Sequence, residues 1–358
     1  MSSFSSTGPD TTRGSSGRTP RALTRRELFS LGRTEEEGHW IRIHRAAMAC
    51  RFEVLLDGAD EAHVPAAREA LDEADRLEAA LSVFRETSEL SRVNRTAAER
   101  PAPVDADLFA LLAQCRDLHG RTAGAFDITS TPLSRCWGFL RREGRLPTRE
   151  AIEAARARVG MSAVLFDDHS RTVRFPRPGM ELNLGSIGKG YALDRMATHM
   201  RARGAAHALI SAGGSSAVAL GGRGEGWTVD IRSRQVASGK LARLRLRDGA
   251  LATSGAGEQF FEVDGKRYGH VIDPRTGWPA SGVLSVSVVT AEGAVSDALS
   301  TAFLVGGLEL ARRYCASHPQ TLALVTPDDG TRRPIVLGAF VGARPLSGHQ
   351  LDDWLEEA

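Results

Sequence analysis

Residues 182–194 read Leu182-Asn183-Leu184-Gly185-Ser186-Ile187-Gly188-Lys189-Gly190-Tyr191-Ala192-Leu193-Asp194, an apolar segment that tightens at three glycines before a helical pattern from residue 194 to 203. Glycines let a backbone approach a ligand closely, because no Cβ stands in the way. A helix that begins just after such a loop presents N–H groups to an anion, and Lys189 adds a positive charge suited to phosphate. The stretch therefore indicates a phosphate or pyrophosphate site, although a glycine-rich turn with a surface lysine explains the same residues. Its spacing matches neither the P-loop nor G-x-G-x-x-G.

The composition is that of a globular protein with a sizeable core. The chain has 358 residues, of which 42% are hydrophobic and 25% charged, and its net charge is +2. So small a net charge argues against a bulk electrostatic role on nucleic acid, and we expect no nucleic-acid partner. The four cysteines include no C-x-x-C pair, which argues against a cysteine zinc site.

The two ends of the chain differ from its middle. Residues 1–38 are rich in Ser, Gly, Thr, Arg and Pro, which predicts a disordered segment, and residues 346–358 form a short acidic tail. Thr24-Arg25-Arg26-Glu27-Leu28-Phe29 resembles a twin-arginine export signal, but residues 30–37 contain no apolar region. No apolar stretch reaches the length of a membrane span. We therefore expect a cytoplasmic protein without a membrane span, and export remains the alternative.

The middle of the chain, residues 39–345, alternates between strand and helix patterns. Apolar residues recur at three- and four-residue spacing from Val64 to Leu81, which predicts an amphipathic helix. Many short strands follow in hairpin order, and Asp264-Gly265 between two apolar runs is a hairpin signal. A second long helix is predicted to begin at Ser296-Asp297. The pattern predicts an α+β fold with largely antiparallel sheets and flanking helices.

Three further clusters carry chemistry: Ala125-Phe126-Asp127, His270-Val271-Ile272-Asp273, and Asp297 with Ser300 and Thr301. Asp127 lies between apolar residues, so its carboxylate needs a protein or ligand partner. Asp297 and Thr301 are four residues apart and share a helix face. Carboxylate and hydroxyl oxygens suit a hard cation such as Mg²⁺. The alternative is that Asp297 caps the helix and Thr301 packs in the core.

Taken together, these motifs resemble the ApbE family of flavin transferases (FAD:protein FMN transferases) over roughly residues 40–345. The segment from His270 to Gly277 is the most specific of them. The others are Met48, Leu81-Ser82-Val83-Phe84, Ser88 to Asn94, Gly124 to Thr129 with Pro132-Leu133 and Trp137-Gly138-Phe139, Asn183 to Asp194, Ala212-Gly213-Gly214, Thr253-Ser254-Gly255, and Asp297 to Thr301.

The resemblance implies an ApbE-like fold and a specific reaction. An enzyme of this family splits FAD with Mg²⁺, transfers the FMN moiety to a Thr or Ser hydroxyl of an acceptor protein, and releases AMP. By the same resemblance, His270 is the acid/base. The residues that would contact FAD are Met48, Phe84, Ala125, Phe126, Asp127, Asn183, Lys189 and Ile272, and those that would hold the metal are Ser186, through its backbone carbonyl, Asp297, Ser300 and Thr301.

Two positions depart from the family pattern, and two other functions use the same residues. Asn183 stands where the family usually has Asp, and Phe84 stands where it often has Tyr. In the first alternative function, water attacks the phosphorus in place of the acceptor hydroxyl. The chain is then a Mg²⁺-dependent FAD hydrolase that yields FMN and AMP. The second is a non-catalytic flavin-binding protein, which the presence of Asp297, Thr301 and His270 disfavours.

Overall fold

The computed structural model describes residues 29–31, 39–232, 240–330 and 333–345. The strands are β1 (Phe29–Leu31), β2 (Trp40–Ala47), β3 (Cys50–Asp57), β4 (Ala102–Pro103), β5 (Leu165–Asp167), β6 (Thr172–Arg174), β7 (Ala208–Ala212), β8 (Ser216–Leu220), β9 (Trp227–Arg232), β10 (Lys240–Leu246), β11 (Gly249–Gly255), β12 (Phe260–Val263), β13 (Lys266–Gly269), β14 (Val283–Thr290), β15 (Leu322–Pro327), β16 (Ile335–Gly338) and β17 (Ala343–Pro345). The α-helices are α1 (Val64–Leu81), α2 (Glu89–Thr96), α3 (Ala106–Arg121), α4 (Thr131–Cys136), α5 (Arg149–Arg156), α6 (Gly188–Ala202) and α7 (Gly293–Ser317).

The strands pair into antiparallel sheets, as the hairpin pattern predicts. The largest sheet has eight strands in the order β16-β15-β14-β11-β8-β7-β3-β2, and a second sheet has the order β1-β9-β10-β17. Every pairing between these strands is antiparallel. The hairpin at Asp264-Gly265 forms as expected between β12 and β13. The α+β prediction is therefore confirmed.

The eight-stranded sheet is buried on both faces. In β3, Val54 belongs to the core that includes α1, α6 and α7, while Leu55 belongs to a second core shared with β9 and β10. This alternation follows from the two-residue period of a strand, which sends neighbouring side chains to opposite faces. The molecule is therefore layered, with helices on one face of the large sheet and the four-stranded sheet on the other.

The two helices that carry site residues begin earlier than the sequence predicts. Helix α6 starts at Gly188 rather than near residue 194, and α7 starts at Gly293 rather than at Ser296. The two helices cross closely near these starts, because a Cβ on Gly190 would lie 2.0 Å from the carbonyl oxygen of Gly293. Asp194 strengthens the crossing by accepting the backbone N–H groups of Gly293 at 2.7 Å and Ala294 at 2.8 Å.

Helix α7 corrects one expectation about membrane spans. Its 25 residues are long and apolar enough to cross a membrane by length and composition, so the expectation that no stretch reaches that length is wrong. However, 67% of its apolar window is buried inside the fold, and α7 packs on β14 and β11. The left-handed φ of 72° at Gly307 interrupts its helical geometry. These contacts are those of a core helix.

The N-terminal segment also differs from the expectation at three residues. Phe29–Leu31 forms β1, which pairs with β9 in the register Phe29 to Ile231 and Leu31 to Val229. At this sheet edge β9 supplies backbone partners that local composition does not show. The rest of residues 1–38 and the tail 346–358 lie outside the described residues.

Candidate functional site

A cavity of about 690 Å³ brings together segments that are far apart in the sequence. Its walls come from the β2–β3 turn, the end of α1, residues 125–134, the glycine segment before α6, β11, the loop after β13, and α7. The predicted site residues that line it are Met48, Phe84, Ala125, Phe126, Asp127, Asn183, Ser186, Lys189, His270, Ile272, Asp297 and Thr301. Only Ser300 among the predicted residues is absent from the lining.

Lys189 lies in the first turn of α6 and is buried. Its Nζ donates to Ser215 Oγ at 2.8 Å and to Ser216 Oγ at 3.0 Å, and lies 3.3 Å from Asp297 Oδ1. The lysine is therefore not a surface residue of a glycine-rich turn. Within the described part of the chain this buried ammonium has one carboxylate partner, which suits recognition of a second anion such as a phosphate in the cavity.

Asp297 connects α6 and α7 at the same place. Its Oδ2 accepts the backbone N–H of Gly190 at 3.1 Å, so this N–H at the start of α6 is bonded to protein. Thr301, one turn later, also lines the cavity. Asp297, Thr301 and the Ser186 backbone make an oxygen-only set with one carboxylate, which fits a Mg²⁺ ion that takes further ligands from water and substrate phosphates.

Ser300 lies behind the cavity wall. It is fully buried, its Oγ donates to the Asp297 carbonyl at 2.9 Å, and it forms a hydrogen bond of 2.8 Å with Ser254 Oγ. Ser254, in β11, does line the cavity. The structure therefore places Ser300 next to Ser254 and Asp297 but outside the residues that line the cavity.

His270 follows β13 and faces the cavity from a well-braced loop. Its Nδ1 lies 3.2 Å from the carbonyl oxygen of Gln259, and Phe139 meets the imidazole edge-on at 6.4 Å between ring centroids. The carbonyl only accepts, so Nδ1 carries the proton and Nε2 is the basic nitrogen of the neutral ring. This tautomer suits a residue that takes a proton.

Three side-chain hydrogen bonds hold the end of the loop that begins at His270. Arg275 donates to Asp273 through Nε and Nη2, each at 2.8 Å, and this bonding raises the pKa of Arg275 above its ordinary value. Trp137 Nε1 donates to the Gly277 carbonyl at 2.9 Å. The Trp-Gly-Phe segment near residue 138 therefore helps to position the loop that carries the histidine.

Asp127 finds its partners in the protein. Its Oδ1 accepts from the Thr129 backbone N–H at 2.7 Å, its Oδ2 accepts from Met161 N–H at 3.0 Å, and His119 Nδ1 lies 3.3 Å from Oδ2. These contacts hold the turn that places Ala125 and Phe126 among the residues lining the cavity. Asp127 lines the cavity as well, but its carboxylate oxygens are engaged beneath the wall.

Asn183 keeps the local role that an aspartate has in such a turn. Its Oδ1 accepts the Gly185 N–H at 2.9 Å, and its backbone N–H donates to the Ile128 carbonyl at 2.8 Å. These bonds join the glycine segment to the segment that contains Asp127. The amide differs from a carboxylate in adding no negative charge to the cavity that Lys189 also lines.

The cavity mouth is formed by a strained turn and an exposed ring. Met48 and Ala49 both have left-handed φ angles, of 49° and 56°, in the tight β2–β3 turn, and such non-glycine strain occurs often at ligand sites. Phe84 is 75% exposed. An aromatic ring held in water at a cavity mouth offers a stacking surface for another ring.

Sequence reasoning missed two kinds of site residue. Ser215 and Ser216, which bind Lys189, follow the Gly213-Gly214 turn but show no motif of their own. The hydroxyl residues Ser130, Thr131 and Ser134 line another part of the cavity. Only spatial proximity reveals either group, because serines and threonines are common in loops and caps.

Comparison with known proteins identifies the family. The sequence model of the ApbE family matches residues 48–326. The chain belongs to the ApbE family. It is 30% identical to an Escherichia coli K12 FAD:protein FMN transferase over 72% of this chain and 75% of that protein, and 34% identical to a Klebsiella pneumoniae one over 74% and 78%. The resemblance inferred from the motifs is confirmed.

Solved structures of the ApbE family share the fold. A Thermotoga maritima ApbE protein superposes with a TM-score of 0.75 at 28% identity, covering 84% of this chain and 97% of that one. The flavin transferase ApbE from Vibrio cholerae gives 0.73 at 25% identity, with coverage of 85% and 98%. The ApbE-like fold expected from the sequence is therefore confirmed.

Proposed function

We propose that this chain is an FAD:protein FMN transferase that moves the FMN moiety of FAD to a Thr or Ser hydroxyl of an acceptor protein and releases AMP. The observation that carries the proposal is the meeting of Lys189, Asp297 and His270 in one cavity large enough for a dinucleotide-sized ligand. The names of its relatives support the same reaction.

Lys189, His270 and Phe84 each have a separate role in the phosphoryl transfer. This reaction needs charge neutralisation and in-line placement more than covalent help from the protein. Lys189 neutralises negative charge on the pyrophosphate, because its ammonium is buried and already oriented by Ser215 and Ser216. His270 takes the proton from the attacking hydroxyl through Nε2. Phe84 supports the isoalloxazine ring at the mouth.

We propose that Mg²⁺ is the cofactor, held by Asp297, Thr301 and the Ser186 backbone. When bound, Mg²⁺ supplies additional positive charge to the phosphate oxygens. The Lys189 ammonium lies 3.3 Å from Asp297 Oδ1 and helps to position this carboxylate. Ser300, the fourth residue that the resemblance implies for the metal, bonds Ser254 Oγ and the Asp297 carbonyl.

The direct test incubates the purified chain with FAD, Mg²⁺ and candidate acceptor flavoproteins, and reads covalent flavin by in-gel fluorescence. We expect a fluorescent acceptor band that disappears when the acceptor's target hydroxyl is removed. AMP and free FMN released in equal amounts, with no labelled acceptor, would favour the FAD hydrolase. FAD that binds but remains intact would favour a flavin-binding protein.

We also propose a cytoplasmic location, because residues 30–37 contain no apolar region after the twin-arginine-like motif. Fractionation of the native host with an antibody against the chain tests this. Most of the protein in the soluble cytoplasmic fraction is the expected result, and a mainly periplasmic or secreted protein would support export.

A further inference from the structure

The oxygen set proposed for Mg²⁺ contains one acidic side chain, that of Asp297. Its other members, the Thr301 hydroxyl and the Ser186 backbone carbonyl, are neutral. Within the described residues, no group of three or more His, Cys, Asp or Glu side chains could hold a metal ion. The proposed set therefore carries a single negative charge.

The Lys189 ammonium lies beside this carboxylate and is held there. Its Nζ is 3.3 Å from Asp297 Oδ1. It also donates to the hydroxyls of Ser215 at 2.8 Å and Ser216 at 3.0 Å. The backbone N–H of Gly190, the next residue, donates to Asp297 Oδ2 at 3.1 Å. The start of α6 is therefore bonded to the same carboxylate, and two serine hydroxyls fix the position of the ammonium.

The charges of Lys189 and Asp297 offset each other, and this sets the affinity of the site for a dication. Asp297 is 4% exposed and Lys189 is 8% exposed, so solvent screens their charges only weakly. A dication near Asp297 is attracted by the carboxylate and repelled by the ammonium. Mg²⁺ is usually bound in proteins through one or two carboxylates together with substrate phosphates. The phosphates of a dinucleotide in the cavity would therefore supply the negative charge that the protein side chains do not.

We propose that Lys189 makes metal binding at this site depend on the dinucleotide. The chain alone binds a divalent cation weakly, because the ammonium offsets the charge of Asp297. FAD in the cavity tightens metal binding through its phosphate oxygens, and by linkage the metal tightens FAD binding by the same factor. The inference rests on the proposed function, since that function names FAD and Mg²⁺ as the ligands of this cavity.

The test measures the binding of Mn²⁺, a dication that takes oxygen ligands as Mg²⁺ does and whose paramagnetic resonance signal weakens on binding. The affinity is measured without nucleotide for the full-length wild type, Lys189→Met and Ser215→Ala. Lys189→Met removes the charge and keeps a flexible side chain of similar length. Ser215→Ala is the matched control, because it removes one hydroxyl partner of the ammonium and leaves the charge in place.

A second set of measurements adds FAD. It uses the His270→Asn chain, in which turnover of FAD is expected to be slow, and measures Mn²⁺ affinity with and without saturating FAD. The converse titration measures FAD affinity with and without saturating Mn²⁺. Mixtures of FAD and Mn²⁺ without protein give the background.

Without nucleotide, we expect Lys189→Met to bind Mn²⁺ at least about tenfold more tightly than the wild type, since a positive charge beside the dication is gone. Ser215→Ala should bind Mn²⁺ as the wild type does. In the His270→Asn chain, FAD should tighten Mn²⁺ binding about 5- to 150-fold, the usual range of coupling, and Mn²⁺ should tighten FAD binding equally. Adding Asp297→Asn to Lys189→Met should abolish the gain in Mn²⁺ affinity.

Four results would count against the proposal or the function beneath it. Equal Mn²⁺ affinities of Lys189→Met and the wild type overturn the role of Lys189. Mn²⁺ binding that is as tight without FAD as with it overturns the dependence on the dinucleotide. A gain in Lys189→Met that survives Asp297→Asn places the metal at other residues. A wild-type chain that binds no FAD refutes the proposed function instead. If Lys189→Met does not fold, Lys189→Gln gives the same comparison.

Discussion

At the scale of single residues, the buried pair of Lys189 and Asp297 contributes both to the stability of the fold and to the proposed reaction. Removing the Asp297 side chain leaves a buried ammonium with only two hydroxyl partners, and breaking such a pair costs about 3–5 kcal/mol. In Asp297→Ala, a loss of activity therefore has two causes that an activity assay does not separate: a less stable fold and a missing metal ligand. The isosteric Asp297→Asn keeps an oxygen acceptor and separates the two effects.

We predict that Asp297→Asn lowers Mg²⁺-dependent AMP release from FAD by at least about 100-fold, because an amide is a poor ligand for a hard cation. Its far-UV dichroism should match that of the wild type. The measurement is AMP release over a range of Mg²⁺ concentrations. A variant that regains the full rate at high Mg²⁺ would show that Asp297 only tunes affinity, and one that ignores Mg²⁺ at the full rate would contradict the metal assignment.

A second residue-scale prediction concerns His270. Substitution by Asn keeps a donor near the Nδ1 position for the Gln259 carbonyl but removes the basic Nε2. We expect the transfer rate to fall about 10²- to 10⁴-fold, the span for loss of a general base, with FAD affinity nearly unchanged. His270→Ala should show the same rate loss. Normal turnover by the Asn variant would give His270 the role of shaping the loop instead.

At the scale of elements, the crossing of α6 and α7 sets the geometry of the site. Gly190→Ala would place a Cβ 2.0 Å from the Gly293 carbonyl oxygen, so the helices must separate. We expect a loss of stability of about 3 kcal/mol or more, with weaker FAD binding. Gly120→Ala is the matched control: it lies in α3 with no atom within 4 Å of its Cβ, and should raise stability by about 0.5–1 kcal/mol. Equal melting temperatures for the two variants would refute the close crossing.

The carboxylate of Asp194 accepts the backbone N–H groups of Gly293 and Ala294 at the start of α7. We predict that this carboxylate makes the free energy of unfolding depend on pH. Burial raises the pKa of Asp194 to about 6, even though the N–H groups of Ala294 and Gly293 act in the opposite direction. Because this pKa is higher in the folded chain than in the unfolded chain, its stabilising contribution is present below about pH 4 and is lost as the pH rises through 6. It amounts to at most about 3 kcal/mol, at 1.36 kcal/mol for each pKa unit.

The measurement is the free energy of unfolding by urea from pH 4 to pH 7. Relative to Asp194→Asn, the wild type should lose stability as the pH rises over this interval. Asp168→Asn, which changes an exposed carboxylate in the β5–β6 turn, should run parallel to the wild type. A constant difference between wild type and Asp194→Asn would show that Asp194 does not titrate with folding.

At the scale of the whole molecule, β1 links the N-terminal segment to the four-stranded sheet. Deleting residues 1–28 removes no described residue, whereas deleting residues 1–35 also removes the pairing of Phe29–Leu31 with β9. We expect the longer deletion to lower the free energy of unfolding by about 1–3 kcal/mol relative to the shorter one, because β9 loses backbone partners. Thermal melting of the two truncated chains measures this. Identical melting temperatures would show that β1 contributes nothing to stability.

Much of this protein follows from the sequence by itself, because the relevant forces are local. The spacing of apolar residues placed α1 at its observed bounds, Val64–Leu81, and Asp264-Gly265 placed the β12–β13 hairpin. Helix periodicity and turn chemistry act over a few residues and are readable without a structure. The ordered motifs identified the ApbE family and named residues that line one cavity.

The tertiary structure alone decided how those residues work. Lys189 and Asp297 are 108 positions apart, and the crossing of α6 and α7 at Gly190 and Gly293 brings them together. The same packing buries the Ser300 hydroxyl, where it bonds Ser254 Oγ and the Asp297 carbonyl. Local pattern cannot supply these facts, since a side chain's burial and partners depend on elements that are distant in the sequence and meet only in the folded chain.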